Sequence, residues 1–247
     1  MIKIVTDSTA YLPASVVQQN DLRVVPLCVH FGDDAYKEGV ELSHEQFYAR
    51  LKDASVLPTT SQPSAGEFHE VFEDLAGAGH EIVVLTISSR LSGTWNSAMA
   101  AREMMPDAQI SIVDSLSTSV GLQVIIEAAV AARNAGANRE EIVQKVEDIK
   151  KKLHVFFVVD TLEYLAKGGR IGNAKAFLGT LLKVKPILFL KDGAIEPLEQ
   201  VRSKRKAQAR MVELVEECTR GRSAEAVVAL THALVPEETA ALAREIQ

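Results

Sequence analysis

The sequence has few of the features that mark several classes of protein. It contains two cysteines, Cys28 and Cys218, and no CxxC pair, so it indicates neither a disulfide framework nor a zinc site. No apolar run reaches the roughly 18 residues that a membrane helix needs. The first residues also lack the long apolar core of a signal peptide. We therefore expect a cytoplasmic protein with no stable membrane insertion.

Positive charge is also scarce. The chain carries 27 Lys and Arg against 33 Asp and Glu, a net charge of −6, so no global positive field favours nucleic acid. The exception is the segment 202–210, where five of nine residues are cationic. Such a segment is typical of a solvated helix face, and docking of a partner is the second interpretation. Nucleic acid is a weaker third, because no aromatic residues are interleaved.

The motifs of common catalytic sites are absent from the sequence. There is no GxxxxGK[ST] phosphate loop, and no GxGxxG follows a strand. Ser92 does not lie in a GxSxG motif, so a nucleophile elbow is not indicated. The segment HEQFY at 44–48 has Tyr48 where the zinc helix HExxH needs its second histidine. The sequence therefore indicates no metal and no cofactor.

Strands and helices alternate through the first 153 residues. Strands are predicted at 2–7, 23–31 and 81–87, and the proline-containing segment 56–64 is predicted to be a loop. The strand 81–87 is apolar on both faces, which is typical of a strand inside a parallel sheet. We therefore predict an α/β domain over residues 1–153, with a Rossmann-like parallel sheet and helices on both faces.

The pattern changes after residue 153. Two strands joined at Asp192-Gly193 carry a strong hairpin signal, and Ser203 is placed to cap a long helix. A further strand is predicted over 224–234, with a last helix after it. Residues 154–247 are therefore predicted to form a second, α+β domain with a partly antiparallel sheet.

A cluster of hydroxyls follows the strand 81–87. Ser88, Ser89, Ser92 and Thr94 fall within seven residues, where a strand ends and a helix begins. The start of a helix offers unpaired backbone N–H groups and a partial positive charge, both of which favour an anion. Gly93 would let a ligand approach the backbone closely. One hydroxyl is expected to cap the helix, and the others predict a small anion site.

The chemistry of this loop favours a carboxylate over a phosphate. A phosphate site normally recruits arginine or lysine, whereas a singly charged carboxylate can be held by neutral donors. A second hydroxyl-rich segment, TTSQPS at 59–64, also precedes a helix and is expected to face the first. With no general base or metal indicated nearby, the pattern favours holding a ligand over transforming it.

Several segments together resemble one known family. They are TDSTAYLP, TTSQPS, SSRLSGTWNSA, VDSLSTSVG, LAKGGRIG and KPILFLKDGAIEPLEQVRSKRKA. Their order and spacing are similar to those of the DegV family over nearly the entire chain. The resemblance implies two α/β domains that bind a long-chain fatty acid between them. It further implies an acyl-binding subunit, from which a separate fatty acid kinase subunit forms an acyl phosphate.

The resemblance also assigns roles to residues. It implies that the carboxylate meets the hydroxyls of Thr60, Ser61, Ser92 and Thr94, and that Arg170 lies near the surface that faces the kinase. The acyl chain requires an apolar tunnel, whose candidate residues are equally suited to an ordinary core: Ile125, Leu162, Ile171, Phe177, Leu178 and Leu181. Family members commonly end in a strand with a THxGPG-type segment, which this sequence lacks. We therefore expect either a reduced head site or a segment outside this sequence.

Two other functions remain open on the sequence alone. One is a stand-alone acyl hydrolase with Ser92 as its nucleophile. The absence of an identifiable base and of a GxSxG motif argues against this function. The other is a lipid-sensing regulator that passes a signal to a different partner.

Overall fold

A computed structural model describes residues 1–179, 184–221 and 225–246. Within these residues the strands are β1 Ile2–Asp7, β2 Arg23–Val25, β3 Cys28–Phe31, β4 Asp34–Lys37, β5 Thr59–Ser61, β6 Glu81–Thr86, β7 Ile110–Asp114, β8 Phe156–Val158, β9 Lys185–Lys191 and β10 Ala194–Val201. The α-helices in the same ranges are α1 Ala14–Gln19, α2 His44–Asp53, α3 Ala65–Gly77, α4 Thr94–Glu103, α5 Ser119–Asn134, α6 Arg139–Lys150, α7 Glu163–Lys167, α8 Lys204–Thr219 and α9 Pro236–Ile246. None of these helices combines the length and apolar character needed to cross a membrane.

The chain divides into two compact units, Met1–Leu153 and His154–Gln247. The first unit contains a four-stranded parallel sheet in the order β2-β1-β6-β7. Ile82 and Val84 of β6 pack with α3 and α4 on one face, and Val83 and Leu85 pack with α5 and α6 on the other. This arrangement explains why residues 82–85 of β6 are all apolar, and it confirms the predicted parallel sheet with helices on both faces.

A small antiparallel sheet in the first unit corrects two predictions. The strand predicted over 23–31 is two strands, because Pro26 has no N–H with which to continue a ladder. Residues 59–61, predicted to lie in a loop, form β5 on the edge of β3, with Thr60 opposite Val29. The β-branched threonines suit an extended backbone, and the edge of β3 supplies the hydrogen-bond partners that the sequence pattern did not reveal.

The second unit contains an antiparallel sheet in the order β10-β9-β8. The predicted hairpin is confirmed: Asp192 and Gly193 both have positive φ, 48° and 79°, as a tight two-residue turn requires. The predicted strand over 224–234 is wrong for its described residues 225–234, which have irregular backbone. They pair with no strand among the described residues, and an unpaired segment lacks the ladder that stabilises a strand.

Candidate functional site

The hydroxyl-rich loop follows β6 at the point where the parallel sheet changes its winding direction. The chain runs from β1 to β2 on one side and from β6 to β7 on the other, while β1 and β6 pair directly. In open α/β sheets, ligands bind in the crevice at such a switch point, outside the carboxyl ends of the strands. Residues 87–93 lie at that crevice.

Ser88 holds the loop in shape. Its side chain is buried, and its Oγ accepts a hydrogen bond from the Arg90 N–H at 3.1 Å. Its backbone carbonyl accepts from the N–H groups of Leu91 and Ser92, at 2.9 and 3.1 Å. The Ser88 N–H donates, at 2.8 Å, to the carbonyl of Ser117 in the loop that follows the neighbouring strand β7. Ser88 therefore orders the loop backbone, which leaves Ser92 and Thr94 as the hydroxyls closest to the helix.

Asp7 ties the carboxyl end of β1 to the start of the same loop. Its fully buried carboxylate accepts from the Ile87 N–H at 2.7 Å, and from the N–H and hydroxyl of Thr9 at 3.0 and 2.6 Å. Burial raises the pKa of this carboxyl, and the hydrogen bonds from Thr9 and Ile87 oppose the rise. No motif in the sequence predicted a role for Asp7. The signal was the Asp-x-Thr spacing after a strand, which is typical of a side chain that binds its own turn.

Ser92 and Thr94 are hydrogen-bonded to each other, with 2.9 Å between their hydroxyl oxygens. Thr94 is fully buried and Ser92 is half-buried. The expectation that one of these hydroxyls caps the helix is wrong: Gly93 is the N-cap residue of α4, and among the described residues no side chain caps this end. The first turn of α4 therefore keeps backbone donors that favour an anion.

The two hydroxyl-rich segments lie next to each other. The side chain of Gln62 packs against Gly93 so closely that a Cβ added at Gly93 would lie 2.5 Å from the amide nitrogen Nε2. Glycine at position 93 therefore leaves room for the Gln62 side chain, and its φ of −74° shows that no unusual backbone conformation is involved. Sequence reasoning did not select Gln62, although it lies inside the segment TTSQPS.

Thr60 and Ser61 have different surroundings. Both are exposed residues of β5, and consecutive residues of a strand face opposite sides of the sheet. Thr60 therefore shares a face with its partner Val29, whereas Ser61 shares the opposite face with its partner Cys28. The Ser61 hydroxyl lies 2.9 Å from Nε2 of His30 on that same face. His30 is a second residue that the sequence analysis missed, because a lone histidine in a strand carries no motif.

Arg170 lies in the second unit, in the exposed loop after α7. Its Nη1 donates to the carbonyl of Gly168 at 2.6 Å, and its backbone N–H donates to the carbonyl of Leu165 at 3.0 Å. The nearby Gly172 has a φ of 53°, and a Cβ there would lie 2.2 Å from the carbonyl oxygen of Ile195. The segment around Arg170 is therefore held closely against β10.

The tunnel candidates fall in different environments. Ile125 is fully buried in the core between the parallel sheet and its helices, which makes it an ordinary core residue of the first unit. Leu178 is 49% exposed, and Leu162, Ile171 and Phe177 are half-buried in the second unit. Leu181 lies outside the described residues, and so does the end of the segment AFLGTLL at 176–182, which the sequence pattern predicts to be helical.

The fold and the loop define an α/β protein whose parallel sheet presents neutral hydrogen-bond donors at its switch point. In the described part of the chain, no group of three or more His, Cys, Asp or Glu side chains is arranged to hold a metal ion. The chain belongs to the DegV family: the family model described as "Uncharacterised protein, DegV family" matches residues 1–247.

Comparison with known proteins supports the family assignment in sequence and in structure. A DegV domain-containing protein of Halalkalibacterium halodurans is 44% identical over 230 residues, which cover 92% of this chain and 81% of that protein. The crystal structure of DegV, a fatty acid binding protein from Bacillus subtilis, matches with a TM-score of 0.87 and 35% identity, covering 99% of this chain and 87% of that one. A stearic acid-binding protein from Eubacterium ventriosum matches with a TM-score of 0.84 and 31% identity, covering 89% and 77%.

Proposed function

We propose that this protein binds a long-chain fatty acid and presents its carboxylate to a separate fatty acid kinase, which forms the acyl phosphate. The carboxylate is held at the Ser92-Gly93-Thr94 segment, with Thr60 and Ser61 on the neighbouring segment. The observation that carries this proposal is the contact between the two hydroxyl-rich segments at Gly93 and Gln62. Fatty-acid binding by relatives in Bacillus subtilis and Eubacterium ventriosum supports it.

Neutral donors suit a carboxylate that must still react. The paired hydroxyls of Ser92 and Thr94 can rotate to donate to an anion, as can the backbone N–H groups of the first turn of α4. A fixed cation would hold the carboxylate more tightly and would also withdraw its negative charge. Hydroxyls leave one carboxylate oxygen able to attack a phosphoryl group delivered by the kinase.

The hydrogen bonding of Ser92 also favours holding over hydrolysis. A nucleophilic serine is normally activated by an adjacent base, most often histidine. The partner of the Ser92 hydroxyl is instead the hydroxyl of Thr94, which cannot remove its proton at neutral pH. This contact supports a binding subunit over a stand-alone acyl hydrolase. A lipid-sensing regulator would use the same head site with a different partner.

Arg170 is proposed to face the kinase. It lies on an exposed loop of the second unit, and the contacts of Arg170 with Gly168 and Leu165 give that loop a defined shape. A guanidinium in a fixed position suits recognition of a carboxylate or phosphate on a partner.

The test is a titration of saturated acids from C8 to C20, with one matched methyl ester as the control. Burying each methylene contributes about 0.8 kcal/mol, so removing two costs about 1.6 kcal/mol, or about fifteenfold in affinity. Affinity is expected to rise with chain length until the acyl site is filled, and the methyl ester is expected to bind more weakly. A flat series would contradict fatty-acid binding, and an ester that binds as well as its acid would contradict the carboxylate site.

A further inference from the structure

A histidine contacts one of the proposed head-group residues. His30 lies on β3 opposite Thr59 of β5, and its Nε2 is 2.9 Å from the Ser61 hydroxyl. The next residue after Ser61 is Gln62, whose side chain packs against Gly93. The His30 ring therefore connects through two neighbouring residues to the segment that contains Ser92 and Thr94.

We propose that His30 is a positioning residue that sets the direction of the Ser61 hydroxyl and thereby makes fatty-acid affinity depend on pH. This inference rests on the proposed function, because it concerns the same head site. The inference goes beyond that function by naming His30 as the residue that controls the Ser61 hydroxyl, and pH as the condition that changes its direction.

The proton can lie on either side of the contact between Nε2 and the Ser61 hydroxyl. A neutral imidazole has one nitrogen that donates and one that accepts, and the proposal assigns the proton to Nδ1, so that Nε2 accepts the Ser61 proton. In that arrangement the hydroxyl points at the ring and cannot donate to a carboxylate. When His30 gains a proton, both ring nitrogens donate, and Nε2–H donates to Ser61 Oγ. The Ser61 proton is then free to donate to the bound carboxylate, and the added positive charge lies near it.

The elements next to His30 place charged groups on both faces of the small sheet. Lys37 of β4 lies on the same face, and its ammonium pairs with Glu67 of α3 at 3.3 Å. Hydrogen bonds from the backbone and hydroxyl of Ser64 lower the pKa of Glu67, so this carboxylate keeps its charge near neutral pH. Asp34 of β4 lies on the opposite face of the sheet, beside Phe31. Arg50 of α2 lies on that face too, where its guanidinium stacks over the ring of Tyr36.

The test measures the dissociation constant of a C12 acid between about pH 6 and about pH 8.5, a window in which histidine changes charge and a carboxylic acid stays ionised. The wild-type protein is expected to bind roughly threefold to tenfold more tightly at the acidic end. His30→Gln keeps a polar partner for Ser61 and is expected to lose this rise. Ser61→Ala is expected to lose it as well, because His30 acts through that hydroxyl.

His69→Gln is the matched control, because it removes an imidazole from α3 in the same unit and is expected to keep the wild-type profile. Calorimetry in two buffers of different ionisation enthalpy should show proton uptake on binding by the wild-type protein and none by His30→Gln. If the wild-type protein binds the acid, and His30→Gln or Ser61→Ala keeps the same dependence of affinity on pH, the role of His30 is overturned. The proposed function then still stands. A wild-type protein that binds no acid at any pH overturns both.

Discussion

Replacing Gly93 by alanine tests the contact between the two hydroxyl-rich segments. The backbone φ of −74° is open to alanine, so the substitution introduces no backbone strain. The added Cβ would lie 2.5 Å from Nε2 and 2.9 Å from Cδ of Gln62, which are far closer than van der Waals contact. Gln62 is exposed and flexible, so its side chain should move away from the loop while the fold persists.

Gly93→Ala is expected to lower both stability and affinity. Alanine is a poorer N-cap than glycine, so the free energy of unfolding should fall by about 1 kcal/mol. Moving Gln62 should weaken fatty-acid affinity by roughly threefold to tenfold, the size of one lost polar contact. The assays are urea unfolding of the ligand-free protein and calorimetric titration with a C12 acid.

Two further variants make the Gly93→Ala test decisive. Gly66→Ala in α3 is the matched control, because its added Cβ meets only Ser64 Oγ, at 3.8 Å. It should raise the free energy of unfolding by about 0.5–1 kcal/mol and leave fatty-acid affinity unchanged. In a Gln62→Ala background, Gly93→Ala should cost little further affinity, because the side chain it displaces is gone. Equal losses in both backgrounds would refute the role of Gln62, and unchanged affinity in Gly93→Ala would refute the position of the head site.

Two other substitutions test the remaining roles. Ser92→Ala should weaken fatty-acid binding by about 1–3 kcal/mol, because it removes a donor to a buried charged acceptor, with Ser89→Ala of the same loop as the control in calorimetry. If both variants bind the fatty acid equally well, the Ser92 hydroxyl contributes only a hydrogen bond to Thr94 and no contact with the ligand. Arg170→Ala should keep lipid affinity and impair acyl-phosphate formation with the kinase, whereas Lys167→Ala, a nearby exposed cation paired with Glu163, should change neither. A parallel loss of lipid affinity in Arg170→Ala would place Arg170 in the lipid site.

Local signals predicted much of the fold. The helix cap at Ser203, the hairpin at Asp192-Gly193 and the apolar strand that begins at residue 81 all occur where the sequence places them. Each signal depends on residues close together in the chain, where backbone geometry and burial leave few alternatives. The edge strand 59–61 was missed because its stability comes from pairing with β3, about thirty residues earlier.

The candidate site was predicted in part for the same reason. Ser92, Gly93 and Thr94 follow a buried strand and begin a helix, so their position is a local property. Gln62 and His30 were not predicted, because their contacts with Gly93 and Ser61 depend on how separate elements pack. Neither residue carries a motif, and only the three-dimensional arrangement shows that Gln62 contacts Gly93 and that His30 contacts Ser61.

The distribution of charge indicates where the binding free energy for a fatty acid must arise. Residues 1–153, which contain the proposed head site, have 13 Lys and Arg against 21 Asp and Glu, a net charge of −8. A field of this sign does not attract a carboxylate over long distances, so local donors must orient the head group. In the proposed site, hydroxyls and backbone N–H groups would provide orientation at short range, while burial of the acyl chain would provide most of the affinity. This division explains a head site without a dedicated cation, and it makes the direction of single hydroxyls such as that of Ser61 matter for binding.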